Sequence, residues 1–266
     1  MLKQFEKKVV KNGDVFVMGA QPFLELEIEE GAEVIVMDDF GINTGVPSRE
    51  ILIEIGKGAN VKWTGYQHHA DEVTSCDQKK FFLKEGARLN LYQNILGGGN
   101  SLDEITVELK GRGSEVFSQI VFFGHGKQNQ TMRVNHVHMG ENTKSNMISK
   151  GAVMNESHGK VLGYIRMEPG CSGADGNLTE HNLLLSSGAK IDAVPGLEIG
   201  HDDVAASHAA YMERVDDERL FYLASRGIPE DDAVQLIMEG FFLDAIQNMK
   251  SPELEARIFQ QILTYL

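Results

Sequence analysis

Glycine recurs at Gly31, Gly58, Gly86, Gly113 and Gly140, at steps of 27 or 28 residues. A run this even limits the fold more than any other feature of the chain. Around the glycines lie related segments: IEEGAEVIV (Ile28 to Val36), IGKGANVKW (Ile55 to Trp63), LKEGARLNL (Leu83 to Leu91) and LKGRGSEVF (Leu109 to Phe117). Each is a β segment, a glycine turn and a second segment alternating apolar with polar residues. A weaker echo follows in LLSSGAKIDAV (Leu184 to Val194). The period is too short for a propeller blade, and the unit lacks the helix of a leucine-rich or ankyrin repeat. It suits one coil of a β-solenoid, with two or three short strands per turn. A coil's free backbone groups are satisfied only by the next coil, and alternation turns Val, Ile and Leu inward. Glycine recurs where the chain must turn with positive φ. A β-sandwich with coincidental spacing is the competing architecture. The absence of any helix-period pattern before residue 212 favours the solenoid.

From Asp216 the apolar period changes from 2 to 3.6. Asp216 is placed to cap a helix ending at Gly227, with Val215 and Leu220 as a hydrophobic staple. In the next helix Val234, Ile237, Met238, Phe241, Phe242, Ala245, Ile246 and Met249 form one broad stripe. Its acidic start (Glu230, Asp231, Asp232) complements the helix dipole. Ser251 and Pro252 open a last helix running to Leu266. The expected division is a β-helix core over residues 1–213 and a C-terminal helical region over 214–266. Three short helices have little core of their own, so the stripe must pack on the solenoid end or on another protein.

The formal charge of −14 disfavours phosphate backbones, and no window supplies a basic patch, so nucleic acid is not an expected partner. No run approaches a membrane span. The first residues, MLKQFEKKVV, carry lysines without an apolar stretch, so a cytoplasmic protein is expected. Cys76 and Cys171 are too few for a disulfide framework and too far apart for a paired-cysteine zinc motif. The polysaccharide-active β-helix enzymes are disfavoured by the missing leader and the lack of repeated carboxylate pairs on the strands.

Several histidines have metal-capable spacing. His136 and His138 share a strand face as a candidate pair, although a solvated strand face is the plainer reading. His201 sits beside Asp202 and Asp203, where an acid-capped turn is the commoner outcome. His181 and His208 flank the last coils.

The stretches GYIRMEPG (Gly163 to Gly170), DGNLTEHNLLLSSGAKIDAVPGLEI (Asp175 to Ile199), DDVAASHAA (Asp202 to Ala210) and DDERLFYLASRGIPEDDAVQLIMEGFF (Asp216 to Phe242) resemble the SufB/SufD family of the SUF iron–sulfur cluster assembly machinery. The resemblance implies a mainly β fold, a right-handed parallel β-helix with a small C-terminal helical region. It also implies a non-enzymatic scaffold that dimerises through the β-helix, as a homodimer or with a related subunit. Such scaffolds bind a SufC-like ABC ATPase through their helices, here Ile237, Met238, Phe241 and Phe242. No GxxxxGK[ST] loop occurs, in keeping with a family that has no ATP site of its own. A transient iron–sulfur cluster is the implied cargo. The chain is short for the family and looks like a compact version.

Carried over by position, an essential cysteine of SufB proteins becomes His181 here. An interface histidine of SufD proteins corresponds to His208, with Ala206 in place of a cysteine. The glutamates beside that histidine in SufB proteins become Ser207 and Ala209. The expected dimer seam is therefore Ala206, Ser207, His208 and Ala209. The expected cluster or iron ligands are His208, His181 and Cys171, a thiolate being the natural partner of such clusters. Because imidazole cannot carry a persulfide, a purely structural SufD-like partner that binds no cluster is the alternative.

Overall fold

The computed structural model describes residues 5–18, 21–41, 47–215 and 217–265. The proposed helix cap, Asp216, lies outside them, as do the side chains of Glu230 and Asp231. Two parallel sheets form the walls of a flattened β-helix, and the chain passes from one to the other in every coil. One wall stacks β1 (Glu6–Val10), β3 (Phe23–Ile28), β5 (Ser48–Ile55), β7 (Thr74–Leu83), β9 (Asn100–Leu109), β11 (Asn129–His138) and β13 (His158–Met167). It ends with β15 (Lys190–Ala193) and β16 (Gly196–Ile199), which both pair with β13 on either side of Pro195. The facing wall stacks β2 (Val15–Met18), β4 (Glu33–Gly41), β6 (Asn60–His68), β8 (Arg88–Ile95), β10 (Glu115–Gly124), β12 (Lys144–Val153), β14 (Ala174–Leu184) and β17 (Val204–Arg214).

The period-2 pattern places the core. In β3, Leu24, Leu26 and Ile28 are almost fully buried, while Phe23, Glu25 and Glu27 face outward. In-register parallel pairing stacks equivalent positions into columns, such as Ile28–Ile55–Leu83–Leu109–His138–Met167. A fully buried Leu or Ile contributes roughly 1.5–3 kcal/mol, so these columns hold the coils together.

The turn ladder explains the glycine period. Gly31, Gly58, Gly86 and Gly113 adopt φ of 68°, 65°, 64° and 65°. Each N–H donates to the next coil, from Gly31 N to Lys57 O at 2.8 Å through Gly113 N to Glu141 O at 2.9 Å. The ladder then departs from the glycine count. Its next rungs are Asn142 (φ 53°) and Gly173 (φ 72°), not Gly140. Gly140 instead lies where a Cβ would come within 2.8 Å of the Gly111 backbone. Asparagine tolerates the left-handed region well enough to replace glycine in the turn.

Three helices follow: α1 (Asp217–Ser225), α2 (Glu230–Asn248) and α3 (Pro252–Leu263). The stripe does pack on the solenoid, but on the outer face of a wall instead of its end. Met238, Phe242, Ala245, Ile246, Met249, Leu254, Ile258 and Ile262 bury against Tyr66, Leu96, Val121, Phe123, Ala152 and Leu183. Wall side chains reach up to carbonyls of α2 and its C-cap: Gln119 to Ala245 O (2.5 Å), Lys150 to Phe241 O (2.9 Å) and Lys62 to Met249 O (2.6 Å). Among the described residues no helix is long and apolar enough to cross a membrane.

Candidate functional site

The last two coils carry the expected site residues, and strand parity decides which of them meet. His181 pairs with Tyr211 and with Lys150 across adjacent strands, and Leu178 pairs with His208. Because 208 and 211 differ by an odd number, their side chains take opposite faces. His181 lies outside the wall, its ring stacked on Tyr211 at 4.8 Å and 10°. Beside it Lys150 reaches Asp244 and the Phe241 carbonyl. Burial, then the Lys150 charge, pushes the His181 imidazole below its ordinary pKa. His208 lies on the inner face of β17, exposed because no coil follows. His181 and His208 are therefore not brought together as one ligand pair.

Cys171 joins neither. It occupies the turn before β14, fully buried among the lumen residues, and burial raises the pKa of its thiol. Cys76 faces outward on β7, on the other wall. His201 closes the turn before β17 by accepting the Asp203 N–H at 3.0 Å.

The expected seam residues Ala206, Ser207, His208 and Ala209 lie on β17, the terminal strand of its sheet. Ala206 packs on the lumen core, and Ser207 donates from Oγ to Asn177 Oδ1 at 2.6 Å. This strand ends the wall with one edge open and small side chains along its middle.

Sequence reasoning missed the residue next to His181. Glu180 points into the lumen, 0% exposed, where no side chain pairs with its carboxylate and the Gly163 backbone of the opposite wall faces it. Ser149, its register neighbour on β12, and Asn182, two residues along β14, are also buried with unpartnered polar atoms. Gly163 on the opposite wall makes the room, since a Cβ there would lie 2.8 Å from Glu180 Oε1. Burial pushes the Glu180 carboxyl up to about 7. Alternation along NLTEHNLL was the available signal: Leu178 is inward, so Glu180 is too.

A second polar cross-section lies deeper. Arg49 donates to Asp38 (2.6 and 2.9 Å) and to Asp77 (2.9 and 2.9 Å). Lys79 reaches Asp77, Asp38 (3.2 Å) and Gln93 (3.1 Å). Asp103, next to Asp77 in register, keeps both oxygens unpartnered. Burial, reinforced by the Asp77 charge, raises its pKa. His136 and His138 do share a face, but it is the lumen and not a solvated surface. His136 contacts Ser118 Oγ at 3.0 Å, and both His138 nitrogens contact hydroxyls, Thr143 and Ser145, at 2.8 Å. With both nitrogens engaged, His138 offers no metal ligand.

Of the expected ATPase-docking residues, Met238 and Phe242 are buried against the wall, and Ile237 and Phe241 are half-buried. The outward helical face instead shows Phe221 (75% exposed), Tyr222 (58%), Leu236 and Leu243. A shallow groove of about 500 Å³ runs between α1 and α2, lined by Glu218, Arg219, Tyr222, Leu223 and Ile237.

The architecture is thus a parallel β-helix with an apolar lumen crossed by polar layers, β17 as the last strand of one wall, and helices docked on the outside of that wall. Over residues 10–241 the chain matches the family described as SUF system FeS cluster assembly, SufBD core domain. An iron-sulfur cluster assembly SufBD family protein of Mycobacterium leprae is 30% identical over 240 residues, covering 87% of this chain and 61% of that protein. SufD of Bacillus subtilis is 32% identical over 195 residues, covering 73% and 45%. A SufBD family protein of Staphylococcus epidermidis is 29% identical over 196 residues, covering 73% and 42%. The chain belongs to the SufB/SufD family, and it spans between 42% and 61% of the length of these relatives.

Proposed function

We propose that this chain is a scaffold in SUF-type iron–sulfur cluster assembly that pairs with a second β-helix subunit and works with a SufC-like ABC ATPase. The observation that carries this reading is the family match across residues 10–241, which takes in both the open-ended coils and most of α2. The pairing surface is the open edge of β17, where Ala206, Ser207, His208 and Ala209 allow close backbone approach. An unpaired parallel edge of this kind is a ready template for another strand. The pairing partner is a second copy or a related subunit. The cluster is transient cargo, and no ATP site is assigned to the chain. The cytoplasm is the matching compartment.

ATPase docking falls on the outward helical face. Phe221 and Tyr222, with Ile237 at the groove, replace Met238 and Phe242, which already hold the helices to the wall. The test is co-purification with a SufC-like ATPase. Phe221→Asp with Tyr222→Asp is expected to abolish capture with no change in melting temperature. Undiminished capture sinks the docking assignment.

A specific observation favours a second reading, a SufD-like subunit that binds no cluster. The position where a SufB-type thiol is expected holds an imidazole stacked on Tyr211 beside a lysine. Anaerobic reconstitution with iron and sulfide separates the two: a cluster spectrum supports the scaffold, and its absence in the presence of the partner subunit supports the SufD-like role.

A further inference from the structure

We propose that the groove between the first coils and the end of α2 binds a small dianion, a phosphate ester or a polycarboxylate. Lys62 and Lys250 neutralise it, and the amides of Asn60 and Asn90 hold its oxygens.

The place is built from the wall outward. Val61 turns into the lumen, so Asn60 and Lys62 on β6 both face out. Lys62 pairs in register with Asn90 on β8, which sets a second amide beside it. Neither amide makes a side-chain hydrogen bond among the described residues, so both can meet a ligand's oxygens. The end of α2 passes overhead and adds Asn248 and Lys250, enclosing a groove of about 690 Å³.

Two features of this groove point to an anion. The first is a pair of ammonium groups without a counter-charge. Most described lysines meet a carboxylate, as Lys57 meets Glu85 at 3.1 Å and Lys80 meets Glu108 at 2.6 Å. Among the described residues Lys62 and Lys250 form no ion pair, and Lys62 donates only to the Met249 carbonyl. Burial, then the Lys250 charge, pushes the Lys62 ammonium below its ordinary pKa. Like charges this close repel, and an anion between them turns the repulsion into attraction.

The second feature is the backbone at Lys250. Two residues after α1 the chain uses Gly227, at φ 83°, where glycine bears no strain. Two residues after α2 it uses Lys250, at φ 50°. A lysine there is strained, and its ammonium has no partner inside the chain to offset the strain. Helix capping does not account for it, because Lys62 already supplies a cation at the C-cap carbonyl of Met249. Acidic groups border the far side of the groove. Asp14 is engaged at its own turn, accepting the Lys11 N–H at 2.8 Å, whereas the Glu33 carboxylate, in register with Asn60, opposes the ligand. The formal charge of −14 gives an anion no long-range attraction, so its retention depends on the two lysines.

Calorimetric titration of the chain with pyrophosphate and with citrate, at matched ionic strength, tests the proposal. One saturable site per chain is expected for at least one of them, and which one binds separates the phosphate source from the carboxylate source. Lys250→Gly is expected to weaken binding by roughly tenfold or more while melting no lower than the wild type, because glycine suits that backbone. Lys62→Gln, which keeps a donor for the Met249 carbonyl, should weaken binding to a similar extent. Glu33→Gln removes the opposing charge and should tighten it. Lys160→Gln, on the outer face of the other wall, should leave it unchanged. The absence of saturable binding for both anions overturns the proposal. So does wild-type affinity in Lys250→Gly, or an equal loss in Lys160→Gln. No ATPase, iron or sulfide enters the titration, so its failure leaves the assembly role standing, and failed ATPase capture leaves the anion site standing.

Discussion

Replacing Arg49 with leucine tests whether the lumen is dry. Arg49 makes four charge-assisted hydrogen bonds to Asp38 and Asp77, with its guanidinium 3.9 Å above the Phe40 ring. All three charged side chains are at most 1% exposed. In Arg49→Leu two carboxylates remain with only Lys79 to balance them, and Asp103 lies one strand away. Leaving a buried charge without its partner costs about 3–5 kcal/mol. The pH dependence is the sharper signature. Burial alone would raise the Asp77 carboxyl, but Arg49 and Lys79 outweigh it and hold the group below the usual carboxylate range. In the wild type this depressed group adds stability above about pH 4, which is lost as pH falls. In Arg49→Leu burial dominates, so the carboxyls resist ionisation and stability declines as pH rises. Urea unfolding at pH 5 to 8 should show a loss of about 3–5 kcal/mol at pH 8, shrinking toward pH 5. Adding Asp38→Asn and Asp77→Asn should restore at least half of it. A loss below about 1 kcal/mol, flat with pH, would refute the argument and mean that the lumen is hydrated.

Phe242→Ala should cost about 3–5 kcal/mol. Hydrogen exchange should then show α2 and α3 opening while the strands stay protected, and unchanged helix protection would rule out the docking described here. Gly163→Val would collide with Glu180 and Leu178, so a loss of about 1–3 kcal/mol is expected in thermal melts, and a neutral result would mean the lumen adapts. Burial pushes His138 down to about 4 and His136 to about 3, so their contribution is full above pH 6.5 and lost as pH falls toward those values. Acid unfolding followed by Trp63 fluorescence should therefore set in less steeply in His138→Leu, and an unchanged acid limb would count against it. Cys171 should react with a thiol reagent only on unfolding, and prompt labelling of the native chain at this residue would contradict its burial.

The solenoid was legible because its cause is local. Each coil needs one residue with positive φ at the same corner, and glycine marks that corner through Gly113. The count failed at Gly140 because asparagine can take the left-handed position and because later coils are longer, with rungs at Asn142 and Gly173. The helical stripe was legible as apolar, but not its destination. Nothing in residues 234–249 says that they cover the outside of a wall, since Tyr66, Val121 and Phe123 occupy outward positions far earlier in the chain.

Parity accounts for the rest. The expected ligands were grouped by nearness in sequence and by family position, whereas a strand sends neighbours to opposite faces. The frame was available: in TMRVNHVHM, Arg133 and Asn135 are outward, so Met132, Val134, His136 and His138 are inward. The same rule separates His181 from Glu180, one step apart and on opposite sides of the wall. The imidazole lies outside the wall, stacked on Tyr211 beside the Lys150 that reaches α2. The adjoining carboxylate is buried in the lumen, with no side-chain partner and the Gly163 backbone facing it. Hydrophobic stacking would favour an aliphatic side chain at that lumen position, as Ile120 shows two strands back in the same row. Burying an acid there instead costs stability, because desolvation disfavours its charged form.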